Sequence, residues 1–225
     1  MSRILITSGP TRQYLDPVRY LSNASSGQMG LALAEAALAA GFEVTVVSGP
    51  VQVTYPKEAR VIPVITTDEM MEAVTAEFPD CVGLIGAAAP CDYRPIEVAD
   101  HKIRKTGQAV HIKLIETPDI VATIGAQKRP DQWTVGFALE TEDARFRAIG
   151  KLQRKNCDLV VLNGVQAIDS QENEIEILGP EGQVLIAAQG PKAAVADVIV
   201  AAIQQHLTDP QESAPALSTR PKTKS

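Results

Sequence analysis

The segment SNASSGQMG, residues 22–30, lies between an apolar segment, residues 3–7, and an alanine-rich segment, residues 29–40. The apolar segment predicts a buried strand, the alanine-rich one a helix closed by Gly41, and residues 42–47 a second strand. A turn of small residues before a helix leaves backbone N–H groups unpaired, and such groups bind phosphate. We therefore predict a β-α-β unit that holds a phosphorylated ligand.

The alternation continues along the chain. Strands are predicted at residues 60–65, 81–89, 111–115, 133–138 and 157–162. Helices are predicted from a Thr66/Glu69 capping box toward Phe78, after an N-cap at Thr117, over residues 142–155, and over residues 193–206. Residues 174–178 and 184–188 predict a hairpin. This pattern indicates the α/β class, a Rossmann-like doubly wound mainly parallel sheet with a small β-hairpin appendage.

Composition limits the domain organisation and the function. Residues 1–206 suffice for one domain with a full core, and residues 207–225, which contain no aromatic residue, are expected to be a disordered tail. The net charge of -6 argues against nucleic-acid binding, and no apolar run predicts a membrane span. Scattered cysteines and the absence of a signal segment predict a cytoplasmic protein, and the histidine spacing predicts no structural metal site.

The turn differs from the dinucleotide-binding pattern G-x-G-x-x-G. Gly27 and Gly30 occupy its last two glycine positions, but Ser25 occupies the first, and the second strand is followed by SGP, residues 48–50, without a carboxylate for a ribose. No lysine lies four residues after a tyrosine, as a short-chain oxidoreductase would need. An NAD(P)-dependent oxidoreductase is therefore disfavoured, whereas a purely packing role for both glycines remains open.

Two groups of cations are candidates for anion binding. Residues 92–110 form a charged irregular loop containing Lys102, which should open near the carboxyl edge of the sheet. Lys151 and Lys155 lie on one face of a predicted helix. Each lysine also fits a solvated surface charge. Phe137, at a strand end, suits either a nucleobase contact or the core.

Eight motifs, in this order, resemble the phosphopantothenoylcysteine synthetase family over residues 3–206. They are SGPTR (8–12), LDPVR (15–19), SNASSGQMG (22–30), AAPCDYR (88–94), KIRK (102–105), PDIV (118–121), GFALET (136–141) and KNCD (155–158).

The resemblance implies a ligase of coenzyme A biosynthesis that joins 4'-phosphopantothenate to cysteine. The carboxylate would attack the α-phosphate of CTP, favoured over ATP, to give an acyl-cytidylate and pyrophosphate. The cysteine amine would then release CMP. Mg²⁺ would accompany the triphosphate. The resemblance further implies a homodimer, a stand-alone synthetase, and a flavin-dependent decarboxylase on a separate polypeptide.

The same resemblance assigns residues. Asn23 would handle the substrate carboxylate and acyl intermediate, Lys102 would offset charge during nucleotidyl transfer, and Arg19 would bind phosphopantothenate. The nucleotide would contact Ser25, Ser26, Gly27, Gly86, Ala87, Ala88, Asp92, Lys102, Pro118, Asp119, Ile120, Val121, Phe137, Lys151 and Lys155. A catalytically silent nucleotide-binding protein remains the alternative.

Overall fold

The computed structural model describes residues 2–139, 143–164 and 172–208. The strands are β1 (Arg3–Ser8), β2 (Arg12–Tyr14), β3 (Tyr20–Ser22), β4 (Glu43–Ser48), β5 (Arg60–Pro63), β6 (Gly83–Gly86), β7 (Tyr93–Pro95), β8 (Leu114–Glu116), β9 (Trp133–Leu139), β10 (Leu159–Asn163), β11 (Glu172–Leu178) and β12 (Val184–Pro191). The α-helices are α1 (Gln28–Ala39), α2 (Thr67–Glu77), α3 (Ile120–Gln127), α4 (Ala144–Arg154) and α5 (Lys192–Ile203).

Eight strands form one sheet in the order β12-β11-β10-β9-β6-β1-β4-β5. The strands from β10 to β5 are parallel, and the hairpin β11–β12 continues the sheet in antiparallel pairing with β10. The chain moves outward from β1 through β4 to β5, then returns to place β6 on the other side of β1. This arrangement confirms the Rossmann-like, mainly parallel α/β fold and creates a switch point between β1 and β6, where ligands bind in open α/β sheets.

Both faces of the sheet are covered, as continuous apolar strands require. On β1, Ile4 and Ile6 face the cluster that includes α1 and α5, whereas Leu5 faces α2 and α3. A third cluster packs Leu152 of α4 against strands β9 to β11. Alternate side chains of a strand point to opposite faces, so β1 is buried on both sides and fixes the sheet between its helices.

The N-termini of α2 and α3 are both capped by side chains, one at the predicted residue and one at a different residue. At α2 the Thr66 hydroxyl accepts a hydrogen bond from Glu69 N at 3.1 Å, as predicted, while the Glu69 carboxylate accepts one from Ile65 N at 2.8 Å. At α3 the predicted N-cap Thr117 is wrong. Asp119 caps the helix by accepting from Ala122 N at 3.1 Å. The helix therefore begins at Ile120, two residues later than predicted.

Three further segments differ from prediction or lie beyond it. Residues 92–110, predicted to be irregular, begin with β7, and the strand predicted at residues 111–115 is β8, which pairs with β7 outside the main sheet. The β2–β3 hairpin was not predicted. The expected tail begins at residue 207, and residues 207 and 208 belong to a π-helical turn, Gln204–Thr208. Residues 209–225 lie outside the described residues. Within the described ranges, no helix is long and apolar enough to cross a membrane.

Candidate functional site

Two clefts open at the carboxyl edge of the sheet, beside the switch point. The first, the α3 cleft, has a volume of about 370 Å³ and is lined by the ends of β6 and β9, the start of α3 and one face of α4. The second, the α1 cleft, has a volume of about 480 Å³ and is lined by residues 23–30 and by the segment after β6. The clefts share the lining residues Ala88, Pro90, Asp92, Phe137 and Lys151. One extended ligand, or two ligands in contact, therefore fits across both.

The N-terminus of α1 forms one wall of the α1 cleft. Gly27 is its N-cap, with φ 77° and ψ 1°, and no side chain caps the helix. The first turn of a helix leaves its N–H groups without intrahelical partners. Gln28, Met29 and Gly30 belong to that turn and line the cleft. The N–H groups and the helix dipole together create a site for negative charge.

The same glycines also allow close packing. A Cβ atom on Gly30 would lie 1.9 Å from Ser8 Oγ, and one on Gly27 would lie 2.7 Å from Val51 Cγ1. Tyr55 donates a hydrogen bond to Ser8 Oγ at 2.8 Å, which holds that hydroxyl beneath the turn. Packing therefore accounts for Gly30. Two independent features require glycine at position 27. A Cβ would collide with Val51, and the positive φ disfavours any residue with a side chain.

Hydrogen bonds join the loops that follow β1 and β6. Asn23 Nδ2 donates to the carbonyl oxygens of Pro90 at 2.8 Å and Ala89 at 3.3 Å. Cys91 N donates to Thr11 Oγ1 at 2.8 Å. These contacts set the position of Asp92, which lines both clefts. Asn23 thus lines the α1 cleft, and its amide nitrogen is hydrogen-bonded to Pro90, which lines both clefts.

The α3 cleft combines a helix N-terminus with two lysines. Lys155 Nζ lies 3.0 Å from the carboxylate of Asp119, the N-cap of α3, and Lys151 lines both clefts. Gly136 leaves space in the lining, since a Cβ there would lie 3.1 Å from Cys157 Sγ. Burial raises the pKa of the Cys157 thiol to about 11, so this side chain contributes a neutral surface rather than a nucleophile.

Most of the residues proposed from the sequence come together here. Those that line one or both clefts are Asn23, Ser25, Ser26, Gly27, Gly86, Ala87, Ala88, Asp92, Pro118, Asp119, Ile120, Val121, Phe137, Lys151 and Lys155. Arg19 and Lys102 line neither cleft. The Arg19 guanidinium instead hydrogen-bonds Asp16 and the carbonyl of Ile103, which places it beside the loop that carries Lys102.

Sequence reasoning missed one end of the α1 cleft. Asn163, Asn173 and Lys192 line it, and Lys192 Nζ lies 3.5 Å from Asn173 Oδ1. Asn163 Oδ1 is buried and accepts no hydrogen bond from the described part of the chain. Asn163 could have been found from the sequence, because it ends a parallel strand. Side chains at that position reach the edge of the sheet where ligands bind.

Within the described ranges, no group of three or more histidine, cysteine, aspartate or glutamate side chains could hold a metal ion. Asp92, Glu116 and Asp119 do line the α3 cleft. Mg²⁺ commonly takes one or two carboxylates together with phosphate oxygens and water. The donor set therefore fits Mg²⁺ that arrives with a nucleotide.

These features define a class: a Rossmann-like α/β domain with two adjoining clefts at the switch point of its sheet. The family follows from a family model described as "DNA/pantothenate metabolism flavoprotein C-terminal domain", which matches residues 1–207. The chain belongs to this family, as the resemblance in its motifs implied.

Relatives of this chain include coenzyme A biosynthesis bifunctional proteins named CoaBC. Identity is 40% over 206 residues with the protein of Haemophilus influenzae, covering 90% of this chain and 52% of that protein. It is 43% over 190 residues with the protein of Escherichia coli K12, covering 81% and 47%. The chain thus spans about half the length of the curated relatives it matches.

Solved structures agree with the fold. The crystal structure of a CoaBC C-terminal domain superposes with a TM-score of 0.79 at 37% identity, covering 92% of this chain and 96% of that one. The DNA/pantothenate metabolism flavoprotein from Streptococcus pneumoniae gives a TM-score of 0.78 at 22% identity, covering 91% of this chain and 99% of that one. A Cab2 variant in complex with phosphopantothenate-cysteine gives 0.75 at 17%, covering 89% and 86%, which supports the fold alone.

Proposed function

We propose that this protein is a phosphopantothenate–cysteine ligase of coenzyme A biosynthesis. The observation that carries the proposal is the contact between the two clefts at one switch point, with Asn23 in the wall of the α1 cleft and hydrogen-bonded to Pro90, which lines both. The names of the CoaBC relatives support the pathway, and the Cab2 neighbour, solved with phosphopantothenate-cysteine, is compatible with this chemistry.

The reaction needs positioning and charge neutralisation more than a protein nucleophile. The carboxylate of 4'-phosphopantothenate attacks the α-phosphorus of CTP, and the bond to pyrophosphate breaks. The amine of cysteine then attacks the acyl carbon, loses a proton and displaces CMP to form the amide. Because both attacking groups belong to the substrates, the protein contributes by alignment and by stabilising developing negative charge.

In our proposal each cleft binds a different part of the substrates. The nucleoside occupies the α3 cleft, where Phe137 covers the base and Lys155 and Lys151 face the phosphates. The triphosphate then extends toward the N-terminus of α1, whose N–H groups bind its oxygens. Phosphopantothenate places its carboxylate at the junction near Asn23. For the amide to bind that carboxylate, Asn23 must exchange its bond to the Pro90 carbonyl, 2.8 Å long, for one to the ligand.

Mg²⁺ would be held by the triphosphate together with Asp92 or Glu116, both of which line the α3 cleft. The ion would supply positive charge against the leaving pyrophosphate. Lys151 and Lys155 act on the same oxygens as point charges. We propose CTP as the nucleotide in preference to ATP.

A homodimer would explain the two residues that lie outside the clefts. Arg19 and Lys102 line neither cleft, and we propose that they reach the clefts of a second subunit. Exposed apolar side chains lie before and after Lys102 in the chain, namely Ile96, Val98, Val110 and Ile112. A second copy would cover this surface, and light scattering after gel filtration measures whether the particle has twice the mass of the chain.

The test is pyrophosphate release from Mg²⁺, 4'-phosphopantothenate, cysteine and either CTP or ATP. Release that requires phosphopantothenate is expected, at a higher rate with CTP. Omission of cysteine should leave one equivalent of pyrophosphate per active site, because the acyl-nucleotide then accumulates. The proposal fails if folded protein releases no pyrophosphate with either nucleotide.

A further inference from the structure

Asp16 is a buried carboxylate outside both clefts, and its side chain is 0% exposed. It accepts five hydrogen bonds. Val18 N and Arg19 N donate to Oδ1 at 2.9 Å each, Arg19 Nε at 3.0 Å and Ile103 N at 3.1 Å donate to Oδ2, and Arg19 Nη2 also donates to Oδ2. One oxygen thus closes the local turn, while the other binds the guanidinium and a backbone group 87 residues away.

Both backbone polar groups of Ile103 are held by this pair. Its N–H donates to Asp16, and its carbonyl accepts from Arg19 Nη2 at 2.8 Å. A second attachment joins Ala99 N to the Leu15 carbonyl at 3.0 Å. Residues 96–113, all described, form neither helix nor strand. The loop that carries Lys102 is therefore attached to the protein through Asp16, Arg19 and the carbonyl of Leu15.

A carboxylate suits this place for a physical reason. A buried charge is costly unless hydrogen bonds and an opposite charge compensate it, and Asp16 has both. The hydrogen bonds from Arg19 and the backbone hold the pKa of Asp16 well below its ordinary value. A neutral amide could accept at Oδ1 only, because its nitrogen would face the N–H donors of Arg19 and Ile103.

We infer that Asp16 is a positioning residue, which fixes the loop of residues 99–105 and so presents Lys102 to the reacting phosphates. The inference rests on the proposed function for the role of Lys102, but the attachment itself does not depend on it. Lys102 precedes Ile103 directly, so freedom at Ile103 moves Lys102. A misplacement of about 1 Å costs catalysis about 100-fold.

Asp16→Asn tests the inference, because it keeps size and the Oδ1 contacts while removing the acceptor at Oδ2. Glu77→Gln is the matched control, since Glu77 makes a two-bond ion pair with Arg60 far from this loop. With the circular dichroism of the two variants unchanged, Asp16→Asn should raise tryptic cleavage at Lys102, Arg104 and Lys105 about tenfold, and Glu77→Gln should not. Equal cleavage of both variants overturns the attachment, whether or not the protein proves to be a ligase.

The catalytic part is tested with Lys102→Ala. Asp16→Asn alone should lower kcat about 100-fold with KM for CTP changed less than about threefold. In the Lys102→Ala background, Asp16→Asn should lower kcat by less than about threefold more, because residues that act as a unit are not additive. Full additivity would overturn the positioning role. If the unaltered protein releases no pyrophosphate, the proposed function fails and the role of Asp16 in catalysis fails with it, while the tryptic comparison still decides the attachment.

Discussion

Gly27→Ala should weaken both the fold and the binding of phosphate, and Gly41→Ala separates the two effects. Both glycines have a positive φ, 77° at Gly27 and 88° at Gly41. A Cβ on Gly41 would meet nothing within 4 Å, whereas one on Gly27 would lie 2.7 Å from Val51 Cγ1. Gly41→Ala therefore measures backbone strain alone, and Gly27→Ala adds a collision beneath the N-terminus of α1.

The magnitudes follow from these contacts. A left-handed backbone costs a residue with a side chain about 1–2 kcal/mol, so Gly41→Ala should lower the free energy of unfolding by that amount. Overpacking adds about 1–3 kcal/mol at Gly27. If relief of the collision turns the N–H groups of Gln28 and Met29 away, one charge-assisted hydrogen bond is lost. That loss is about 1.5–3 kcal/mol, or roughly ten- to 150-fold in the Kd of CTP.

Urea unfolding gives the stability of each variant, and calorimetric titration with CTP and Mg²⁺ gives the affinity. Val51→Ala in the Gly27→Ala background should recover part of the stability by removing the nearest methyl group. Gly41→Ala should bind CTP as the unaltered protein does. If Gly27→Ala loses more stability than Gly41→Ala but both bind CTP normally, the turn serves packing alone and its phosphate role is wrong; equal losses of stability would show that the predicted collision with Val51 does not occur.

Three further predictions concern the clefts and the thiols. Asn23→Asp places an oxygen where Nδ2 now lies 2.8 Å from the Pro90 carbonyl and opposes the substrate carboxylate, so kcat/KM should fall about 100-fold; normal turnover would remove Asn23 from the mechanism. Lys155→Ala should raise the Kd for CTP about tenfold, whereas exposed Lys57→Ala should leave it unchanged, as titration measures; equal values would contradict the phosphate role. Burial raises the pKa values of Cys81 and Cys157 to about 11, so the native state retains protons that the unfolded chain loses above its ordinary thiol pKa of about 9. The free energy of unfolding should therefore fall as pH rises from about 9 to 11, less steeply in Cys157→Ala, and a flat profile would refute this.

The main sheet was predictable because its strands are buried on both faces. In β1 and β4 nearly every side chain is buried, and such strands appear in a sequence as unbroken apolar runs. The β2–β3 hairpin and β7 leave no such trace, and although β8 was predicted as a strand, its pairing with β7 was not. Each of these strands has only three residues, and every residue of β8 is exposed. Pairing alone defines them, and pairing partners are not visible in a local pattern.

The site was predictable to the extent that it follows chain order. The carboxyl ends of parallel strands meet at one edge, so residues after β1, β6 and β9 had to come close. No comparable rule predicts the contact of Asp16 with Ile103. The two residues are 87 positions apart, and the segment LDPVR by itself indicates only a turn closed by an aspartate. Only the folded chain shows that the other carboxylate oxygen holds the loop of Lys102.

Gly27 and Gly30 show why packing and binding could not be separated from spacing alone. A helix N-terminus binds phosphate well only if it is held rigidly, and here Ser8 and Val51 hold it at distances that exclude a Cβ. Close packing is therefore the means by which the N–H groups are fixed in place. Close packing and phosphate binding therefore depend on the same arrangement of the turn. Their contributions can be separated only by changing one contact at a time. Val51→Ala by itself does so, because it loosens the support while leaving every backbone donor present, so any loss of CTP affinity in that variant measures the rigidity of the turn.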